Sequence, residues 1–252
     1  MSKLLTFIAH KLYSFTHQYD TPALQQARQA STEARRQKLW LKNMGINSII
    51  DIGAHTGQFA CEIHALLPQA QLYAFEPLPD CFNELAQHIA CMPKAKAYNV
   101  GLGSRAGRFE LRRSEYAPSS SFRPMTDLHK KVFPFTNEMD QTVPLPVRPL
   151  DDYQAEMELP DKLLVKIDVQ GYEDEVLRGG QAVISQAHLV IVEVSLQPLY
   201  EGAPSFEQIM ALLGHWGFQF RGCLQQLYSP LDGSILQCDA LFMKLGKDTA
   251  ST

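Results

Sequence analysis

Four carboxylates stand where a buried apolar run gives way to a turn. Asp51 lies near the end of NSIIDIGA, Glu76 closes QLYAFE, Asp168 closes LLVKID and Glu193 closes LVIVE. If those runs are parallel strands, their carboxyl ends share one crevice, where open α/β sheets bind ligands. An acid in that position can bind an amine, hold a cation, or accept a proton from a substrate hydroxyl. Asp51 opens the series Asp51-Ile52-Gly53-Ala54-His55-Thr56-Gly57, which leads directly into a helical pattern. A helix amino terminus there favours a polar ligand, Gly53 lets the backbone approach it, and Gly57 lets the helix pack closely. The spacing is D-x-G-x-x-x-G, whereas a dinucleotide's pyrophosphate favours G-x-G-x-x-G. Glu76 follows Asp51 by 25 residues, just before Pro77. An acid so placed can take two hydrogen bonds from a ribose diol. Glu173, Asp174 and Glu175 are read differently, as favourable charge in the first turn of a helix.

The elements that must position these groups alternate. After NSIIDIGA come the helix QFACEIHALL, the strand QLYAFEP, the helix DCFNELAQHIA and a third strand, KAYNVGLG. LLVKIDV, the helix EDEVLRGG, the strand HLVIVEVS and the helix SFEQIMALLGHWG continue the pattern. Strands alternating with helices predict a parallel sheet covered on both faces. The segment FQFRGCLQQLYSPLDGSILQCDALFMK reads as two strands joined by a turn at Pro230–Gly233, an antiparallel pair closing the sheet. Residues 104–150 are rich in proline and lack a helical period, which predicts an insertion of short strands and loop. Upstream, Leu4, Leu5, Ile8, Leu12 and Phe15 have helical spacing. That helix either lies in a membrane surface or on a partner, or packs on its own domain. Thr21-Pro22 opens a second helix running to about Met44, with Gly45 as its left-handed stop.

Composition narrows the classes. The 252 residues carry 23 Lys+Arg against 27 Asp+Glu, a net charge of −4, which speaks against a dedicated nucleic-acid binder. The five cysteines are scattered and form no C-x-x-C. They read as reduced thiols of a cytoplasmic protein, not a disulfide framework or a zinc site. No run reaches transmembrane length, and the apolar start is short for a signal peptide.

DIGAHTGQFA, AFEP, NVGLGS and KIDVQGYEDEVLRGG, in this order, resemble the FkbM family of S-adenosylmethionine-dependent methyltransferases, over roughly residues 46–245. The resemblance implies a class I methyltransferase fold: a Rossmann-like, mostly parallel seven-stranded sheet with an antiparallel carboxyl-terminal hairpin. It divides the chain into an amino-terminal helical extension, 1–45, and one methyltransferase domain, 46–247, with the insertion as a lid. It also implies that Asp51, Gly53, Ala54, His55, Thr56 and Gly57 embrace the methionine part of the cofactor. Glu76 and Pro77 would then meet its ribose, Val100, Gly101 and Leu102 would border its adenine, and Asp168 would stand near the transferred methyl. Family members that resemble this chain point to O-methylation of sugars or related hydroxyls, in glycan or glycolipid synthesis. Many carry Glu where this chain has Gln170, which makes Gln170 a hydrogen-bonding or turn residue here and not a catalyst.

An oxygen acceptor must lose its proton, and the candidate bases are Asp168, Glu193 and His129, the last being the one histidine of the insertion. Asp168 and Glu193 could instead share a divalent cation, so metal dependence stays open. Between residues 105 and 131, seven basic residues (Arg105, Arg108, Arg112, Arg113, Arg123, Lys130, Lys131) face three acids (Glu110, Glu115, Asp127). A lid of that charge would receive an anionic acceptor such as a nucleotide sugar or acidic glycan; otherwise it is a solvated basic loop. Two other functions compete with methyl transfer: an NAD-dependent oxidoreductase, and a non-catalytic cofactor-binding scaffold. Oligomeric state is not legible.

Overall fold

Apolar runs with no polar alternation form strands buried on both faces. Four such runs build the centre of the fold in a computed structural model that describes residues 40–136 and 138–244. β1 (Ser48–Ile52) and β7 (Leu163–Ile167) are buried at every position. β2 (Gln71–Phe75) and β8 (Leu189–Ser195) are nearly so. With β3 (Ala95–Tyr98), β9 (Phe218–Tyr228) and β10 (Ile235–Lys244) they make a seven-stranded sheet in the order β3-β2-β1-β7-β8-β10-β9. All neighbours pair in parallel except β10, which runs antiparallel to both β8 and β9. This is the sheet with a terminal hairpin that the sequence predicts. The chain winds outward from β1 through β2 to β3, then returns to place β7 on the other side of β1. The crevice at such a reversal, beyond the strands' carboxyl ends, is where this architecture holds ligands.

Helix boundaries follow local chemistry. α1 (Gln58–Leu66) starts after Gly57, whose φ of +90° no other residue adopts easily. A Cβ there would come within 2.9 Å of Leu85 Cδ1, so Gly57 does permit close packing against α2 (Pro79–Ile89). Pro79 occupies the first turn of α2, where its missing N–H costs nothing.

The insertion differs from expectation in two ways. First, the third strand breaks after Tyr98. Asn99 Nδ2 donates to the carbonyls of Glu76 and Pro77 at 2.9 and 3.0 Å. The next residues, β4 (Gly101–Leu102), leave the main sheet and join β5 (Gly107–Ser114) and β6 (Glu138–Arg148) in a three-stranded sheet ordered β4-β6-β5. Second, a six-residue helix, α3 (Asp127–Val132), lies between β5 and β6. Thr126 caps it, its hydroxyl accepting from His129 N at 3.2 Å, and Pro134 follows its end. Fewer than two turns leave too short a period to detect.

After β7 come α4 (Glu173–Gly179) and α5 (Gln181–Ile184), then β8 and α6 (Phe206–His215). α6 begins with a reciprocal cap between Ser205 and Gln208. The cysteines form no disulfide. Among the described residues no helix is long and apolar enough to cross a membrane. The amphipathic segment at 1–20 and most of the helix expected at 21–44 lie outside the described residues. Residues 40–43 are helical, and Gly45 takes φ +68°, the left-handed stop.

Candidate functional site

The β1 loop is held by its neighbours on both sides. Gly53 N and Ala54 N both donate to Phe75 O at 3.0 Å, and Asp168 N donates to Ile52 O at 3.0 Å. Gly53, at φ +80°, lies so near the β7 end that a Cβ would stand 1.8 Å from the Asp168 carbonyl oxygen. Gly53 is therefore required by the strand beside it as well as by any ligand above it. His55 adopts φ +50°, which aims its N–H at Glu76 Oε2, 2.8 Å away. Glu76 Oε1 accepts from Leu78 N at 2.9 Å. Burial pushes the Glu76 carboxyl up to about 7, with the two N–H donors opposing it.

These residues floor an open cleft. Phe75, Val100, Leu102, Leu111 and Phe122 give it apolar walls. Gly53, His55, Glu76, Pro77, Gly101, Asp168 and Gln170 also reach it. The insertion supplies one side through Ala117, Pro118, Ser120, Ser121 and Phe122. Ala54, Thr56 and Gly57 shape the loop without lining the cleft. Asp51 lies beneath it, 2% exposed. Burial pushes Asp51 up to about 7 against the pull of Lys166, and its Oδ2 has no hydrogen-bond partner among the described residues.

At the ends of β7 and β8 the acids form a network. Lys166, in the middle of a buried strand, places Nζ 3.0 Å from Asp168 Oδ2 and 3.2 Å from Asp239 Oδ1. Gln170 Nε2 donates to Asp168 Oδ1 at 2.8 Å and to Glu193 Oε2 at 2.7 Å. Gln170 Oε1 accepts from Tyr200 Oη at 2.9 Å, and its carbonyl accepts from Ser121 Oγ at 2.6 Å. Gln170 also holds φ +55°, so it is both turn residue and hydrogen-bonding hub. Burial would raise the Asp168 carboxyl, but the Lys166 ammonium and the hydrogen bonds hold it below the usual range. Burial and the Asp168 charge drive Glu193 well above it. Their surroundings thus push the two acids in opposite directions. Glu173, expected only as helix-end charge, is buried and braces the turn. Its Oε1 accepts from Val169 N at 3.3 Å and Gly171 N at 3.0 Å.

A second cleft, of about 550 Å³, begins at Asp168. Glu193, Asp239, Gln225, Gln226 and Gln237 line it, with Leu227 and Cys238. Among the described residues, no group of three or more His, Cys, Asp or Glu side chains is arranged to hold a metal ion.

Two expectations about the insertion do not match the placement of its side chains. His129 is buried and lines neither cleft. Thr136 Oγ1 donates to Phe133 O at 2.8 Å, so it accepts from His129 Nε2 at 2.9 Å. The imidazole packs edge-on to Tyr200, 5.0 Å between centroids. The Thr126 cap turns His129 onto the inner face of α3, and composition gives no sign of that. Three of the seven basic residues also turn to internal partners. Arg113 pairs with Asp80, Arg123 bonds Asp174 at 2.8 Å and the Gly202 carbonyl, and Arg108 donates to Pro144 O at 2.7 Å. No Lys or Arg is among the described residues lining either cleft.

Several site residues escaped the sequence reading: Lys166, Asp239, Gln237, Tyr200, Phe122 and Tyr172. The first two carried a signal, since each is a lone charge inside an otherwise apolar run. Phe122 and Tyr172 meet at the cleft wall with ring centroids 5.3 Å apart, a convergence that no linear spacing announces.

Comparison with known proteins agrees with this geometry. The 2-O-methyltransferase NoeI of Sinorhizobium fredii is 29% identical over 191 residues, covering 73% of this chain and 78% of that protein. The methyltransferase sdnD of Sordaria araneosa is 28% identical over 193 residues, 68% of this chain and 73% of its own. The hexuronic acid methyltransferase AglP of Haloferax volcanii is 27% identical over 145 residues, 57% of this chain and 54% of its own. The model of the methyltransferase FkbM domain matches residues 51–220, which include Asp51, Glu76, Asp168 and Glu193 and set aside the oxidoreductase reading. The chain belongs to the FkbM methyltransferase family.

Proposed function

We propose that this protein transfers a methyl group from S-adenosylmethionine to a hydroxyl oxygen of a sugar. The observation that carries the reading is the Glu76 carboxylate beneath an apolar slot. Each of its oxygens has accepted one backbone N–H, which leaves acceptor capacity for a ribose diol. The slot between Phe75, Val100, Leu102 and Phe122 suits a flat heteroaromatic base. Asp51 Oδ2, buried and unpartnered among the described residues, suits the ammonium end of an amino acid. The residues present therefore fit this cofactor. The names of two relatives, a 2-O-methyltransferase and a hexuronic acid methyltransferase, support a sugar as acceptor.

When bound, S-adenosylmethionine supplies an electrophilic methyl group on a positively charged sulfur. Glu76 and the His55 turn fix the cofactor's position, and Asp168, shared by both clefts, receives the acceptor. Ionised Asp168 would accept a hydrogen bond from the acceptor hydroxyl and take up the proton that hydroxyl must lose. Lys166 and Gln170 hold that carboxylate in place. Proper alignment of the two reactants, more than base strength, lowers the barrier.

Calorimetric titration with S-adenosylhomocysteine tests the reading. Glu76→Ala, which removes hydrogen bonds to a charged acceptor worth about 1.5–3 kcal/mol, should weaken binding roughly ten- to a hundredfold. Glu76→Gln, which keeps the shape, should fall between. Unchanged binding in both variants refutes the ribose role, and no binding by the wild type refutes the cofactor. Binding without transfer to any sugar acceptor would favour a non-catalytic scaffold.

A further inference from the structure

The second cleft opens from the carboxylate that the first cleft also reaches, so a molecule seated there meets Asp168 directly. We propose that this cleft is the acceptor subsite and that it selects an uncharged, polyhydroxylated ring over a carboxylated one. The proposal rests on the methyl-transfer reading above and specifies the acceptor it takes.

The donors and acceptors on its walls suit hydroxyl groups. Asp168, Glu193 and Asp239 come from three different strands and present acceptor oxygens. Gln225 and Gln237 present amides, which both donate and accept. A ring diol donates to the former and exchanges hydrogen bonds with the latter. Gln237 is already oriented by Glu193 Oε2, 3.1 Å away. The wall is thus preset and costs little ordering when a ligand arrives.

The electrostatics exclude an anion. No Lys or Arg is among the described residues that line the cleft, and Lys166 behind it is 8% exposed, its ammonium already serving both Asp168 and Asp239. An acceptor carboxylate would enter beside ionised Asp168 with no Lys or Arg on the cleft's described walls to meet it, a like-charge contact that selects against it. The insertion's positive balance does not offset this, because none of its basic residues is among the described residues that line the cleft. The site is therefore the reverse of what a basic lid implies.

The test compares p-nitrophenyl β-D-glucopyranoside with the matching β-D-glucuronide, and the galacto pair likewise. Binding to the protein loaded with S-adenosylhomocysteine is read by saturation-transfer NMR, and methyl transfer by radiolabel from S-adenosylmethionine. Wild type should favour the neutral sugar of each pair by at least tenfold. Leu227→Arg, at an exposed cleft-lining position paired with Gln237, should shift the ratio at least tenfold toward the uronide and leave S-adenosylhomocysteine affinity unchanged. A wild-type preference for the uronide, a ratio that Leu227→Arg does not move, or loaded protein that takes up none of the four sugars overturns the proposal. Failure to bind S-adenosylhomocysteine at all is a separate result, which overturns the cofactor reading beneath it.

Discussion

Lys166→Met isolates the electrostatic centre of the site, because methionine keeps most of the length and removes the charge. Lys166 is 8% exposed, Asp239 19% and Asp168 34%. Breaking a buried ion pair costs about 3–5 kcal/mol through the charges left behind. Asp168 is partly open to the cleft, so solvent screening places the cost at the lower end, about 3 kcal/mol. In a domain of this size each kcal/mol moves the melting temperature by roughly 2–4 °C, giving a loss of about 6–12 °C. The pH dependence is the sharper check. Asp168 is held below its ordinary value in the folded protein, so its stabilisation is present above the unfolded pKa and lost as pH falls through the folded one. The deficit of Lys166→Met should accordingly be full at pH 7–8 and shrink toward acid, because Asp168 protonates first in the variant, which lacks the ammonium, and at lower pH in the wild type. Melting followed by circular dichroism from pH 3.5 to 8 measures it. A wild-type melting temperature at pH 7.5, or a deficit that grows toward acid, would refute the account of Lys166 as the group that keeps Asp168 ionised.

Gly53→Ala should cost at least about 3 kcal/mol, since left-handed strain adds to a Cβ forced onto the Asp168 carbonyl. Gly45→Ala, also left-handed but with nothing within 4 Å, should cost only about 1–2 kcal/mol; similar melting temperatures for the two would count against the close approach. His129→Phe should lower the melting temperature by breaking the Thr136 bond, while the pH profile of methyl transfer stays that of wild type. Asp168→Asn should instead reduce kcat by about a hundredfold or more, the usual share of a general base. If His129→Phe removed the acid limb of the profile, the histidine would return as the base.

What the sequence disclosed here depended on whether a signal was local. Runs such as SIIDI and LLVKI announce buried strands because no solvated face interrupts them, and the acids at their ends come with them. Glu76 and Asp168 were therefore legible, as was the terminal hairpin with its turn near Gly233. The fate of the charged insertion was not. Arg113 finds Asp80 and Arg123 finds Asp174 only after the chain has folded, so a net local charge says little about which ligand it faces. The second cleft was equally hidden, since Gln225 and Gln237 converge across the β9–β10 hairpin onto acids from β7 and β8. Lys166 stood in plain view as a cation in an apolar strand, yet its role emerged only once Asp239 was opposite it.

Gly53 joins the two halves of the site. Its α-carbon rests against the carbonyl of Asp168, where any other residue would bring a methyl group into the same space. The loop that floors one cleft and the acid that opens the other therefore have almost no play between them. Methyl transfer requires two molecules to meet within a fraction of an ångström. Here that tolerance is set by the thickness of one hydrogen atom on one glycine.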